Sequence, residues 1–167
     1  MALMYLMLSL ILNLRDAWRE MLSSLNDDLS IDYLCKINYF VSRNESLEWG
    51  VLRTGEVGIA GTDYLPDIPN KESVINDLKK LCEIECITLR AIKIMLYCMR
   101  SQLFWDGNKR TSTITANKIL IQNGKGIITV KEEYLLEFNK LLTEFYNTND
   151  DGDIVKFIYD NCIFGIE

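Results

Sequence analysis

The stretch QLFWDGNKRTS, Gln102 to Ser112, sets two aromatics, a carboxylate, a glycine, two amides and two cations within eleven residues. Upstream, Ile87, Leu89, Ala91, Ile92, Ile94, Met95, Leu96, Cys98 and Met99 leave little polar face, the pattern of a centrally buried helix. Downstream, Ile114, Ala116, Leu120 and Ile121 line a second helix that Gly124 ends. The stretch is therefore a polar joint between two core helices. Gly107 permits a left-handed step, and a helix starting near Lys109 aims its unpaired N–H groups at that turn, where an anion binds readily. Lys109 and Arg110 oppose the helix dipole in the first turn unless an anion is present. Asp106 supplies a hard oxygen suited to Mg²⁺ on phosphates. On these residues alone an ordinary helix–turn–helix joint with Asp106 or Asn108 as N-cap stands beside the anion reading.

Working outward, helical spacing recurs almost everywhere. Leu14, Trp18, Met21, Leu22 and Leu25 mark one apolar face. Ser30 precedes a helix carrying Ile31, Leu34, Cys35 and Ile37, and Asn70 opens one with Val74, Ile75, Leu78, Leu81 and Cys82. Thr129 and Glu132 have capping-box spacing ahead of Phe138, Leu142 and Phe145. A last helix uses Ile154, Val155, Ile158 and Cys162. NTNDDGDI before it approaches a calcium loop but lacks the closing acid, and reads as a joint with Asp151 or Asp153 as N-cap. Gly50 to Pro69 breaks the pattern with four of the nine glycines and both prolines. Short extended runs at Val51–Arg53 and Val57–Ile59 predict a β-hairpin there, whose exposed edge suits strand addition.

Composition narrows the function. At 167 residues and 49% hydrophobic, one core is expected. A charge of −6 argues against general binding to nucleic acid. The five cysteines lack framework spacing and suit a reducing cytoplasm, and Cys82 with Cys86 makes only a weak metal pattern. Histidine is absent, which removes the commonest general base and the nucleophile pairs built on it. MALMYLMLSLIL is shorter than the roughly 20 apolar residues a membrane span needs. It lacks a basic leader and a small-residue cleavage site, so it reads as a core helix with no membrane role.

With GTDYLP upstream, FWDGNKRTS resembles the Fic/Doc (Fido) family, whose signature H-x-F-x-D/E-G-N-G/K-R is met at Phe104, Asp106, Gly107, Asn108, Lys109 and Arg110. VGIAGTDYLPDIP is similar to that family's flap, and the resemblance covers roughly Leu29 to Ile163. It implies a mainly α fold: a Fic-type helical bundle with a short β-hairpin flap over the active-site loop. One domain would span 1–167, with an N-terminal helical extension at 1–28, the flap hairpin and following extended segment at 50–69, and the motif loop and helix start at 102–113. The family transfers AMP, another phosphate-containing group or a phosphoryl group from ATP or another nucleotide to a protein hydroxyl. The resemblance gives Asp106 to Mg²⁺, Gly107, Asn108, Lys109 and Arg110 to nucleotide phosphates, and Phe104 to packing. Val57, Gly58 and Ile59 would register a target protein as an extended strand. An antitoxin-like partner is also implied.

The motif departs from the family in two places. Gln102 stands at the histidine that takes the proton from the target hydroxyl, and Thr113 stands where the AMP-transferring subset has a second arginine. An amide cannot act as a base near neutral pH, and loss of a general base costs about 10²–10⁴-fold. Lys109 replaces the commoner glycine, as in Doc-like phosphotransferases. An S/T-x-x-x-E-G/N inhibitory motif is absent, with Asn44–Trp49 and Ser24–Leu29 only poor approximations. The expectation is a nucleotide-binding protein impaired in catalysis. An active transferase with a non-histidine base such as Asp106, and a non-catalytic interaction module, are the alternatives.

Overall fold

The computed structural model describes residues 2–165. Helices α1 (Ala2–Ser23), α2 (Ile31–Val41), α3 (Lys71–Cys82), α4 (Ile87–Ser101), α5 (Asn108–Gln122), α6 (Leu135–Thr148) and α7 (Gly152–Asn161) make up most of the fold. The mainly α expectation holds. The long apolar segment becomes α4, where Ile92, Ile94, Met95, Leu96 and Met99 are buried. Burying each such side chain is worth about 1.5–3 kcal/mol before entropy is counted, so α4 is the axis of the core. It packs most extensively on α5.

Local signals start the helices. Ser30 Oγ accepts the Tyr33 N–H at 3.1 Å ahead of α2, and Asn70 Oδ1 accepts the Ser73 N–H at 3.0 Å ahead of α3, both as expected of N-caps. The expected box at Thr129 and Glu132 does not form. The Thr129 N–H donates to Cys162 O at 2.9 Å, continuing a short antiparallel pair of β1 (Ile127–Ile128) and β2 (Ile163–Phe164). With Thr129 held by that pair, the chain instead makes a 3₁₀ turn over Glu132–Tyr134 before α6.

Two further expectations change. Val51–Arg53 and Val57–Ile59 run without ladder bonds, and strand pairing among the described residues is confined to β1 and β2. The flap segment is organised by a buried side chain instead, as set out below. The apolar N-terminus is helical but only its second half is core: Asn13, Ala17 and Met21 are buried, whereas Met4, Met7, Leu8 and Ile11 are exposed. Leu22, expected on the buried face, is also exposed. Helix α1 lies against α2 and α5. No helix among the described residues is long and apolar enough to cross a membrane.

Candidate functional site

The motif loop is built by α2 and α4 as much as by its own residues. Gln102, at the end of α4, takes a left-handed conformation with φ of 44°, which costs a non-glycine residue about 1–2 kcal/mol. Three hydrogen bonds hold it there. Its Nε2 donates to Met99 O at 2.6 Å, its Oε1 accepts Asn108 Nδ2 at 3.1 Å, and its carbonyl accepts Arg53 Nε at 2.6 Å. Asn108 in turn clamps the loop, accepting the Phe104 N–H at 2.9 Å and donating to Phe104 O at 2.8 Å. Phe104 itself is buried in the core, as expected. The Asn108 side chain is therefore engaged within the protein.

Gly107 has no alternative. Its φ is 73°, and a Cβ there would collide with Ser42 Oγ and Val41 Cγ1. The close approach exists because Asn38 Nδ2 and Ser42 Oγ both donate to Asp106 O at 3.0 Å. Asn38, fully buried, also donates to Thr111 Oγ1 at 3.2 Å and accepts the Gly50 N–H at 2.9 Å. One amide thus fixes the loop, the start of α5 and the entry to the flap. Nothing in the sequence marks Asn38 for this; it sits on α2 at apolar spacing and reads as a polar interruption.

Arg53 was equally hidden. At 1% exposure, its guanidinium donates to Gln102 O, to Gly55 O at 2.5 Å, to Pro66 O at 3.1 Å and to Asp67 O at 2.5 Å. Its own N–H donates to Leu103 O at 3.0 Å. Burial pushes its pKa down, an effect partly countered by Tyr64 and Asp67. The flap is thus pinned to the motif loop by one cation reading backbone carbonyls. Gly55 completes the fit: a Cβ on it would lie 2.6 Å from Trp105 Cη2, so the flap rests directly on the Trp105 ring.

These elements enclose a cleft of about 420 Å³ lined by Gly58, Ile59 and Ala60 on one side and by Gln102 and Trp105–Arg110 on the other. The structure brings together Gln102, Asp106, Gly107, Asn108, Lys109 and Arg110 with Gly58 and Ile59; Val57 lies outside the lining. Helix α5 begins at Asn108 with Gly107 as its N-cap and no side-chain cap bond, which leaves first-turn N–H groups open to the cleft.

The two cations of the cleft are not equivalent. Arg110 Nη2 lies 2.8 Å from Glu45 Oε2 and 3.6 Å from Asp106 Oδ2, and its Nη1 donates to Val41 O at 3.2 Å. Glu45 is itself nearly buried and accepts Asn13 Nδ2 from α1 at 2.7 Å. Arg110 is thus committed inside the protein, whereas Lys109 has no acidic partner among the described residues. The Asn44–Trp49 segment, a poor match to an inhibitory motif, nevertheless delivers a carboxylate to the motif arginine. Asp106 is half-exposed, with Oδ1 accepting the Gly107 N–H at 2.5 Å. No group of three or more acidic, cysteine or histidine side chains capable of holding a metal occurs among the described residues. One half-exposed carboxylate fits Mg²⁺ carried in on phosphates, and does not fit a resident ion.

Behind Lys109 and Arg110 lies a second cavity of about 240 Å³, almost wholly apolar, whose walls include Trp18, Ile114, Ile128, Val130 and Phe138. Thus α1 and β1, which the motif does not mention, border the same cations.

Against proteins of known structure the chain has the Fic-domain fold. It matches Fic-1 of C. elegans, residues 134–508, with a TM-score of 0.73, 21% identity and 90% of this chain covered. A single-substitution variant of that protein gives 0.75, 22% and 92%. A Fic domain containing signaling protein of Bacteroides thetaiotaomicron gives 0.67, 15% and 92%. The chain spans 46% and 48% of the two C. elegans structures and 65% of the bacterial one. No protein-family model matches the sequence, and no curated protein matches it either.

Proposed function

We propose that this protein binds a nucleotide with Mg²⁺ in the Gln102–Arg110 cleft and an extended protein segment along the flap, and that it transfers the nucleotide's phosphate-bearing group poorly or not at all. The observation that carries this is the open N-terminus of α5 with Lys109 beside it, facing both the polar cleft and the apolar cavity. Free N–H groups and an uncommitted ammonium suit phosphates, and the apolar cavity suits a nucleobase. Asp106 would ligand the Mg²⁺ that neutralises phosphate charge. Gly58 and Ile59 border the cleft in a segment without ladder bonds, whose backbone groups suit pairing with a partner strand.

The impairment follows from proton bookkeeping. A hydroxyl attacking a phosphate must lose its proton, and Gln102 is an amide whose Oε1 and Nε2 are both in use. Asp106 is the only carboxylate lining the cleft among the described residues. Its Oδ1 already accepts the Gly107 N–H and its Oδ2 lies 3.6 Å from Arg110, so both oxygens face other partners. Residual transfer would depend on proton loss to the substrate's own phosphate. As a Fic-fold protein the chain would then be a cytoplasmic binding protein rather than an efficient AMP-transferring enzyme.

Thermal unfolding in Mg·ATP, Mg·GTP and Mg·CTP tests the binding. A ligand at about 100 times its Kd stabilises by about 2.7 kcal/mol, and Lys109→Glu should abolish that gain. No stabilisation by any of the three at millimolar concentration would sink the nucleotide reading. Labelled-nucleotide incubation with lysate tests transfer: a protein band labelled at rates typical of efficient enzymes would overturn the impairment.

A further inference from the structure

A separate cavity of about 540 Å³ shares no residue with the cleft. It lies between α3, α4, α6 and the joint that leads from α6 to α7, and its charged lining consists of Lys80, Lys93, Arg100, Asp77 and Asp151. Two of these cations are spoken for. Lys93 Nζ pairs with Asp151 at 2.6 Å, and Lys80 Nζ lies 3.9 Å from Asp77. Asp77 also accepts the Tyr97 hydroxyl at 3.1 Å. Arg100 remains. It is half-buried, and no carboxylate pairs with it among the described residues.

Arg100 is also held still. Its guanidinium sits 3.8 Å from the centroid of the Tyr64 ring and 5.9 Å from that of Phe145. Nε donates to Tyr146 O at 3.2 Å and Nη1 to the Tyr64 hydroxyl at 3.2 Å. A half-buried, immobilised guanidinium with only neutral partners lacks a counter-charge among the described residues. It still has an unengaged Nη2 to offer. Beside it Leu81, Leu96 and Phe145 give the cavity an apolar floor.

We propose that this cavity binds a single carboxylate borne on an apolar body, with the carboxylate on Arg100. The charge count selects that class. Three cations against two carboxylates leave one positive charge to neutralise, and a dianion such as phosphate would face Asp77 and Asp151 unbalanced. Guanidinium–carboxylate bonds are charge-assisted, and the volume suits a small ligand or the last residues of a polypeptide. The carboxylate is the shared chemistry of both sources. The inference stands apart from the nucleotide reading, since its residues do not border the cleft.

Calorimetric titration of the whole chain with 3-phenylpropionate tests it, with 3-phenylpropionamide as the uncharged control. Saturable one-to-one binding of the acid is expected, none of the amide, and at least about tenfold weaker binding by Arg100→Gln. A tripeptide ending in phenylalanine, free or amidated at its terminus, separates the sources: tighter binding of the free peptide than of the small acid assigns the site to a polypeptide terminus, weaker binding to a free acid. In wild-type protein the ligand should shift the NMR signals of Tyr64, Ser101 and Asn149, which covers the case of an Arg100 variant that does not fold. Absence of saturable binding of both carboxylates up to about 10 mM, equal binding of the amide, equal binding of inorganic phosphate, or shifts confined to the cleft residues Gly58–Ala60 and Trp105–Arg110 would each overturn the proposal.

Discussion

Replacing Arg53 by methionine removes the guanidinium that joins the flap to the motif loop while keeping much of its bulk. Four carbonyls, those of Gln102, Gly55, Pro66 and Asp67, lose their donor at once. Each hydrogen bond to a charged group is worth about 1.5–3 kcal/mol net. The sum overstates the loss for two reasons. Removing the cation also removes the cost of burying it, which the downward push on its pKa registers. Water can also reach some of the carbonyls. About 2–4 kcal/mol is the resulting expectation, at the upper end of ordinary substitutions. Lysine should rescue little, because an ammonium cannot reproduce the fork that spans three segments. The assay is equilibrium urea unfolding, with the change read from the midpoint at constant m. It is joined by hydrogen exchange at the Arg53 amide, which is bonded to Leu103 O. Exchange there should rise in Arg53→Met together with exchange across Gln102–Arg110. A variant within about 0.5 kcal/mol of wild type, with unchanged exchange at the Arg53 amide, would refute the pin.

Other consequences follow from the same geometry. Gln102→His restores a titratable nitrogen at the cleft and should raise transfer by about 10²-fold or more in a labelled-nucleotide assay; a variant that binds nucleotide yet labels nothing shows that the missing base is not the sole defect. Glu45→Gln removes the charge that holds Arg110 at 2.8 Å, and should tighten nucleotide binding by about 3–10-fold by titration, with unchanged affinity placing Arg110 outside the phosphate site. Burial pushes the thiols of Cys35 and Cys162 up to about 11 and that of Cys98 up to about 12, from their ordinary 9.0. The folded state then holds protons that the unfolded state releases, so stability should be intact below about pH 9 and fall between pH 9 and 12; urea midpoints across that range check the sign. Of the five cysteines, Cys86 is exposed and should react first with a thiol reagent at neutral pH, with Cys98 and Cys162 reacting only on unfolding.

What the sequence determined by itself is local or periodic. The run from Ile87 to Met99 has the pattern of a core helix, Ser30 and Asn70 start their helices through their own side chains, and Gly107 marks a left-handed step in the loop between α4 and α5. What tertiary structure decided depends on groups far apart in the chain. Arg53 reaches Gln102 across 49 positions, and Arg110 finds a carboxylate on the loop after α2. The expected flap hairpin does not form, and the segment is tied instead to the motif loop by the Arg53 guanidinium on Gly55, Pro66, Asp67 and Gln102 carbonyls. The N-terminal apolar run is half exposed because only its second half lies on α2 and α5. Spacing reports which face of an element is apolar; it carries no information on which distant polar group will meet another once the faces are buried. For that reason the identities in QLFWDGNKRTS were legible, while the pairing of Arg110 with Glu45, and its absence at Lys109 among the described residues, was not.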